Sequence, residues 1–379
     1  MCKNVKELDL IMPQNKVFVN VSSAAVKANL ETFRKLLGQK TKIFAVVKSN
    51  AYGHGLVAFS KLADRYGAAG FCVDSVVEGE KLRKEGIKKP ILVLGPTFKH
   101  QLEAAAKNKL TITLSGFEAL EELAKSRHKP DFHLKIDTGM HRQGFYLGDL
   151  PKTIRQLKQG LPVTGAYTHF ASAKELNYPT ITEIQFKEFQ KAVKMLEAAG
   201  FKNLLKHAAA TGGTLLNPKY HLDAVRIGIG LYGLWPSGEL MVQLPKIRLK
   251  PVLSWRAIVS EVKKLNPGDY VGYDLTERME RPSKMAVIPI GYWHGYPRAL
   301  SSIGEVVIDG KKARVLGRVS MDMITVDVTG IKCERGSKAT LIGRQSGAEV
   351  NVYDLSRKLG ASHYELITRI NPLIERVVV

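Results

Sequence analysis

From Lys42 to about Ile227, short apolar runs alternate with amphipathic segments. The strand-like runs are IFAVV (43–47), GFCV (70–73), ILVL (91–94), LTIT (110–113), FHLKI (132–136), VTGAYTHF (163–170), LLKHAA (204–209) and DAVRIG (223–228). Between them, stretches such as VVEGEKLRKEG (76–86), FEALEELAKS (117–126) and ITEIQFKEFQKAVKMLEAAG (181–200) place apolar residues at 3.6-residue spacing, which predicts helices. Strand–helix alternation implies parallel strands joined by crossovers, and about eight such units predict a closed (β/α)8 barrel of the TIM type. A further run, VFVNV (17–21), precedes a helical pattern from Ser23 to Leu37. A closed eight-stranded barrel has no place for this ninth strand, so it is expected to pair with the second domain.

After Trp235-Pro236 the pattern changes. The segments VLSWRAIVSEVKKL (252–265), KMAVIPIGY (284–292), GEVVIDG (304–310), KARVLGRVSMDMITVDV (312–328) and ATLIG (339–343) are β-rich and linked by NPGD and DG turns. The fold class expected is therefore α/β plus β: a barrel over residues 1–240, then a mostly β C-terminal domain over 241–379, with the change of texture near 236–250. No internal repeat or low-complexity segment interrupts this plan.

A length of 379 residues with 45% hydrophobic content suffices for two domains with sizeable cores. Charges within MCKNVKELDLIMPQ (1–14) break the apolar stretch that a secretory signal needs, so a cytoplasmic protein without a membrane segment is expected. Cys2, Cys72 and Cys333 are odd in number and far apart, which favours neither a disulfide framework nor a metal site. The formal charge of +22 would suit a polyanion binder. Its carriers, KLRKEGIKK (81–89), KIRLK (246–250) and ERMERPSK (277–284), are dispersed among acids without aromatic interleaving, so solvated faces are expected and no nucleic-acid partner.

In AVVKSNAYGHG (45–55) a lysine closes a buried apolar strand and is followed at once by a loop of Asn, Tyr, Gly and His. In a barrel this puts the Lys48 amine at the carboxyl end of a strand, where active sites of that fold gather. A partly desolvated lysine there forms an imine with an aldehyde. Taken alone, a lysine after an apolar strand is more often a snorkelling surface side chain. The full string decides: it resembles the lysine segment of the alanine racemase family of pyridoxal 5′-phosphate (PLP) enzymes, and matches extend along essentially the whole chain.

The resemblance implies PLP held by Lys48, with the Tyr52 hydroxyl at its phosphate. HLKIDTGMHRQG (133–144) resembles the segment that supplies an arginine, here Arg142, to the PLP phenolic oxygen and the substrate carboxylate. Lys135 matches a position carbamylated in many members, giving an anion that orients this arginine; the plainer alternative is a strand lysine in an ordinary salt bridge. His169, at the end of the candidate strand in YTHFASA (167–173), is implied to hydrogen-bond Arg226. HAAATGG (207–213) and VRIGIGLYG (225–233) match phosphate-binding segments that implicate Thr211 and the backbone of Gly228 and Ile229. The family more often shows Asn-Ser where this chain has Ala210-Thr211. Arg226 stands where many PLP enzymes use an acid against the pyridine nitrogen. Arginine can only donate, which leaves that nitrogen unprotonated and favours racemisation over transamination.

Racemisation needs a base on each face of the substrate, and one lysine cannot serve both. By resemblance the second is Tyr292, in VIPIGYWHGYPR (287–298), where Trp293-His294 replaces the family's common Ala-Asp. Met321, followed by Asp322, matches the residue at the substrate carboxylate, and Tyr273 and Tyr364 match active-site tyrosines, the latter at the phosphate. The resemblance implies a homodimer in which Tyr292 of one subunit completes the Lys48 site of the other, acting on a small amino acid, alanine first. A racemase of broader, serine or basic specificity and a non-catalytic PLP carrier stand beside it. Tyr292 in a second domain argues against the carrier.

Overall fold

The computed structural model describes residues 15–174 and 179–379. Cys2 and the charged segment 1–14 lie outside the described residues. The chain divides into two compact units: Ser23–Pro251, and a second that joins the N-terminal strand β1 (Val17–Val21) to Val252–Val379.

In the first unit, eight parallel strands follow the apolar runs: β2 (Lys42–Val46), β3 (Gly70–Val73), β4 (Ile91–Val93), β5 (Ile112–Leu114), β6 (Phe132–Lys135), β7 (Val163–Tyr167), β8 (Leu205–Ala210) and β9 (Ala224–Ile227). They pair in the order β4-β3-β2-β9-β8-β7-β6-β5. The ring closes through a short parallel bridge, Leu92 to Thr111, in which Val93 N–H donates to Thr111 O at 2.8 Å and Thr111 N–H to Ile91 O at 2.9 Å. The LTIT run thus enters the barrel later than its composition suggests: Thr111 serves the bridge, and the regular strand runs to Leu114. The VTGAYTHF run stops at Tyr167, and His169 lies two residues beyond, because the Thr168 carbonyl is taken by the Arg226 side chain at 2.8 Å. The helices Ser23–Leu36, Val76–Lys84, Phe117–Lys125 and Pro179–Ala198 occupy the amphipathic stretches. In the second of these, Ser75 caps the start by accepting from Glu78 N–H.

The barrel interior is chemically divided. Phe44, Val46, Cys72, Leu92 and Ala224 pack into one apolar cluster. Thr113, His133, Lys135, Tyr167, His207 and Arg226, contributed by β5 to β9, are buried as well: Thr113 bonds Tyr167, His207 bonds both His133 and Arg226, and Lys135 bonds Gln143.

The second unit is built on an antiparallel framework: β10 (Leu253–Ile258), β11 (Glu261–Leu265), β12 (Tyr270–Val271), β13 (Glu277–Arg278), β14 (Ser283–Ile288), β15 (Glu305–Ile308), β16 (Lys311–Leu316), β17 (Ile324–Asp327), β18 (Lys338–Gln345), β19 (Ala348–Val350) and β20 (Glu375–Val378). β1 lies between β10, antiparallel with Val19 opposite Trp255, and β20, parallel with Val19 opposite Arg376. The run 312–328 forms two strands rather than one, because Gly317 turns the chain at φ 62° and the Ser320 hydroxyl then accepts from Met323 N–H. Cys72 and Cys333 are free and buried. Among the described residues no helix is long and apolar enough to cross a membrane.

Gly233 (φ 78°) lies so close to the Lys250 carbonyl that a Cβ would overlap it, whereas a Cβ on Gly38 would meet nothing within 4 Å. Gly233→Ala is expected to lower stability by roughly 3–5 kcal/mol in urea unfolding, and Gly38→Ala to stay within about 0.5 kcal/mol.

Candidate active site

Lys48 follows β2 and opens a turn in which Ser49, Asn50, Ala51 and Tyr52 all have φ between 51° and 55°. Four successive left-handed residues without glycine are costly, at about 1–2 kcal/mol each, and need external support. That support is visible. Asn50 Oδ1 accepts from Leu56 N–H at 2.9 Å, and Asn50 O accepts from Gly55 N–H at 2.9 Å. The Glu78 carboxylate accepts from Ser49 N–H at 2.8 Å and from Asp74 N–H at 2.7 Å. One carboxylate thus ties together the ends of β2 and β3, and with them Lys48 and Asp74, whose side chains pair at 3.2 Å. The Lys48 side chain is 36% exposed, so its amine is reachable from solvent.

On the neighbouring strand β9, Arg226 is 2% exposed. Its guanidinium donates to Thr168 O at 2.8 Å, Ala208 O at 2.9 Å, His207 Nδ1 at 2.6 Å and His169 Nδ1 at 3.3 Å, and lies 5.0 Å from the centre of the Tyr167 ring. Each of these acceptors is neutral, and among the described residues no carboxylate pairs with this arginine. Burial and the nearby cations push His169 down to about 3, and burial with Arg226 does the same to His133. Burial likewise drives His207 well below its ordinary value, so all three imidazoles are neutral at physiological pH.

Lys135, at the end of β6, is 5% exposed and donates to Gln143 Oε1 at 3.1 Å. No acid pairs with it among the described residues, so the ordinary strand salt bridge is not formed. Burial first, then Arg142 and Arg226, bring its amine down to about 8. Arg142 lies on the loop after β6, which is ordered by Asp137: its Oδ1 accepts from the N–H groups of Gly139, Met140 and His141, each at 3.0 Å.

The predicted phosphate segments converge. The Tyr52 hydroxyl stands 2.9 Å from where a Cβ on Gly228 would be, so only glycine leaves space there. Thr211 Oγ1 accepts from Gly228 N–H at 3.2 Å and Gly230 N–H at 3.3 Å. Burial pushes the Tyr52 phenol up to about 12, so it remains a neutral donor at physiological pH.

In the second unit, Tyr292 and Met321 are joined by backbone: Tyr292 N–H donates to Ser320 O at 3.1 Å and Trp293 N–H to Met321 O at 3.0 Å. A Cβ on Gly291 would overlap both of those carbonyls, so the approach requires glycine. Tyr292, Met321 and Tyr273 are exposed to 44%, 52% and 70%. His294 turns inward and its Nδ1 accepts from Gly291 N–H at 3.2 Å, which holds the Tyr292 turn. Tyr364 is the second residue of the helix His363–Thr368, and its N–H donates to the capping Ser362 hydroxyl.

Sequence reasoning missed Asp74, Glu78, His133, Tyr167 and His207. A signal existed for His133: as the residue two before Lys135 on one strand, it shares the inward face of β6. His207 opens the segment HAAATGG, whose pattern points to an anion rather than to a partner for Arg226.

Two family models match the chain, alanine racemase N-terminal domain over residues 21–236 and alanine racemase C-terminal domain over 252–378. The alanine racemase of Leptospira interrogans is 36% identical over 374 residues, covering 96% of this chain and 95% of that protein. Alanine racemase 2 of Bacillus subtilis is 37% identical over 374 residues, with 95% and 94% covered. Among solved structures, the Bacillus anthracis alanine racemase with bound L-Ala-P superposes with a TM-score of 0.90 at 32% identity, covering 96% of this chain and 95% of that one. With nearly full-length similarity in sequence and in both units of the fold, the chain belongs to the alanine racemase family.

Proposed function

We propose that this enzyme interconverts L- and D-alanine using PLP, with Lys48 and Tyr292 as the two bases. The observation that carries the reading is Arg226, a buried guanidinium held only by neutral acceptors on the strand beside the one that delivers Lys48. The residues present suit PLP. Gly228 leaves room beside the Tyr52 hydroxyl, and the Thr211 hydroxyl holds the Gly228 N–H at that space. The Lys48 amine suits an aldehyde, and Arg226 would face the ring nitrogen, with His169 behind it.

When bound, PLP supplies an electron-withdrawing ring that acidifies the α-proton of an attached amino acid. The remaining work belongs to the chain. Arg226 only donates, so it keeps the ring nitrogen free of a proton and disfavours transamination. By the family resemblance, Arg142 and the Met321 backbone would orient the substrate carboxylate, with Tyr273 as an active-site tyrosine. Lys48 Nζ and Tyr292 Oη take and return the α-proton on opposite faces, one accepting as the other donates. The exposed Tyr292, Met321 and Tyr273 suit a homodimer in which Tyr292 of the partner subunit completes each site. The role of Trp293-His294 bears on substrate breadth, which spans the broader, serine and basic alternatives. Cytoplasmic location fits a small-molecule enzyme of this family.

Borohydride reduction of the PLP-loaded protein is expected to fix the cofactor on Lys48, and L-alanine to lose its circular dichroism on incubation. Lys48→Ala should abolish both. Attachment to another lysine overturns the assignment, and faster racemisation of serine or a basic amino acid than of alanine overturns the substrate.

Inactive Lys48→Ala and Tyr292→Ala homodimers, refolded together, should regain about a quarter of wild-type activity per site, since half the dimers are mixed and each holds one intact site. Verified mixed dimers without activity would exclude the shared site.

We also assign a carbamate to Lys135. Its unprotonated amine adds to CO2, forming an N–C bond and releasing one proton, and the product anion would orient Arg142. Because the amine titrates at about 8, occupancy should fall as pH drops below that value. NMR with 13C-bicarbonate should show one carbamate carbon that fades toward pH 6 and is absent in Lys135→Ala.

A further inference from the structure

The hydrogen bonds behind Arg226 have only one possible direction. An arginine NH1 cannot accept, so His207 Nδ1, at 2.6 Å, must be the acceptor and carry no proton. The ring proton of His207 is therefore on Nε2, which lies 2.8 Å from His133 Nδ1. A proton on His133 Nδ1 would oppose that donor, so His133 also carries its proton on Nε2 alone. This donor lies on the residue that lines a cavity of about 280 Å³ at the N-terminal ends of the strands, with Lys42, Thr111 and Thr164 also in its wall. The rings are fixed laterally as well. Tyr167 stacks on His207 at 4.8 Å and 8°. Its hydroxyl donates to Thr113 Oγ1 at 3.0 Å, since the Thr113 hydroxyl is committed to Val93 O at 2.7 Å. Gly165 has no side chain, and a Cβ there would stand 2.5–2.8 Å from the His133 ring.

We propose that His207 and His133 are positioning residues for Arg226: two imidazoles, both in the Nε2–H form, that hold the guanidinium through a one-way chain running from the arginine to the opposite end of the barrel. A carboxylate in place of His207 would fix the arginine equally well but offset its charge. The histidine chain supplies an acceptor with no net charge, so Arg226 keeps its full donating power toward whatever faces it. The consequence for selectivity rests on the PLP reading above; the protonation pattern does not.

The first test is 15N NMR of the full-length protein labelled at histidine, with resonances assigned by substitution. Both His207 and His133 are expected as neutral Nε2–H tautomers, and a proton on Nδ1 of either overturns the chain. The second test compares His133→Asn, whose Oδ1 falls near the former Nδ1 and can accept from His207, with His133→Leu, which cannot. In the PLP-loaded protein, the ratio of transamination to racemisation should rise about tenfold in His133→Leu and remain within about threefold of the parent in His133→Asn. Equal ratios in the two folded variants refute the positioning role. If His133→Leu does not fold, the tautomers of the parent protein decide. If borohydride places no PLP on Lys48, the functional reading fails while the NMR result still judges the chain.

Discussion

A guanidinium in the middle of a barrel core, without a counter-ion among the described residues, is the constraint to which the rest of the first unit answers. Burying a charge is tolerated only where every donor finds a partner. Arg226 meets much of that demand with two carbonyls and two imidazoles, and each partner has its own requirements. Thr168 gives up its carbonyl, which ends β7 early. His207 needs His133, and His133 needs the bare backbone of Gly165. The polar half of the barrel core is thus one connected structure rather than a set of separate residues, while the apolar cluster around Phe44 and Cys72 supplies the ordinary packing opposite it.

The turn after β2 is the second place where the fold accepts local strain to place a side chain. Ser49 to Tyr52 are left-handed without a glycine among them, and hydrogen bonds accepted by the Asn50 and Glu78 side chains hold them there. The arrangement sends Lys48 and Tyr52 from one short segment to different places: the lysine to Asp74 and the solvent-accessible side, the tyrosine inward beside Gly228.

What could be read from the sequence was what depends on local pattern. The alternation of apolar runs located all eight barrel strands, and VFVNV was recognised as a strand the barrel cannot hold. The lysine string and Arg226 were legible because several residues at fixed spacing carry them. Interactions between distant segments were not legible. Nothing near Glu78 in sequence indicates that its two oxygens join Ser49 and Asp74, and nothing near Thr211 indicates that it takes the Gly228 N–H. The break at Gly317 was hidden for a related reason: β-rich composition runs through it, and only its positive φ separates the two strands.

β1 has a further consequence, for the order of synthesis. Its partners are β10 and β20, the latter paired as far as Val378, so β1 cannot complete its pairing until the barrel unit and the rest of the second unit have been made. At ordinary elongation speeds the wait is on the order of tens of seconds. Ser23–Pro251 contains all eight barrel strands and can close while β1 is still waiting. Until β10 is made VFVNV is an apolar strand with both edges open, and until β20 is made one edge stays open, the kind of segment that pairs with a neighbouring chain if chaperones do not shield it. The nascent protein should therefore be prone to aggregation on the ribosome at β1, before β10 and β20 have both been made.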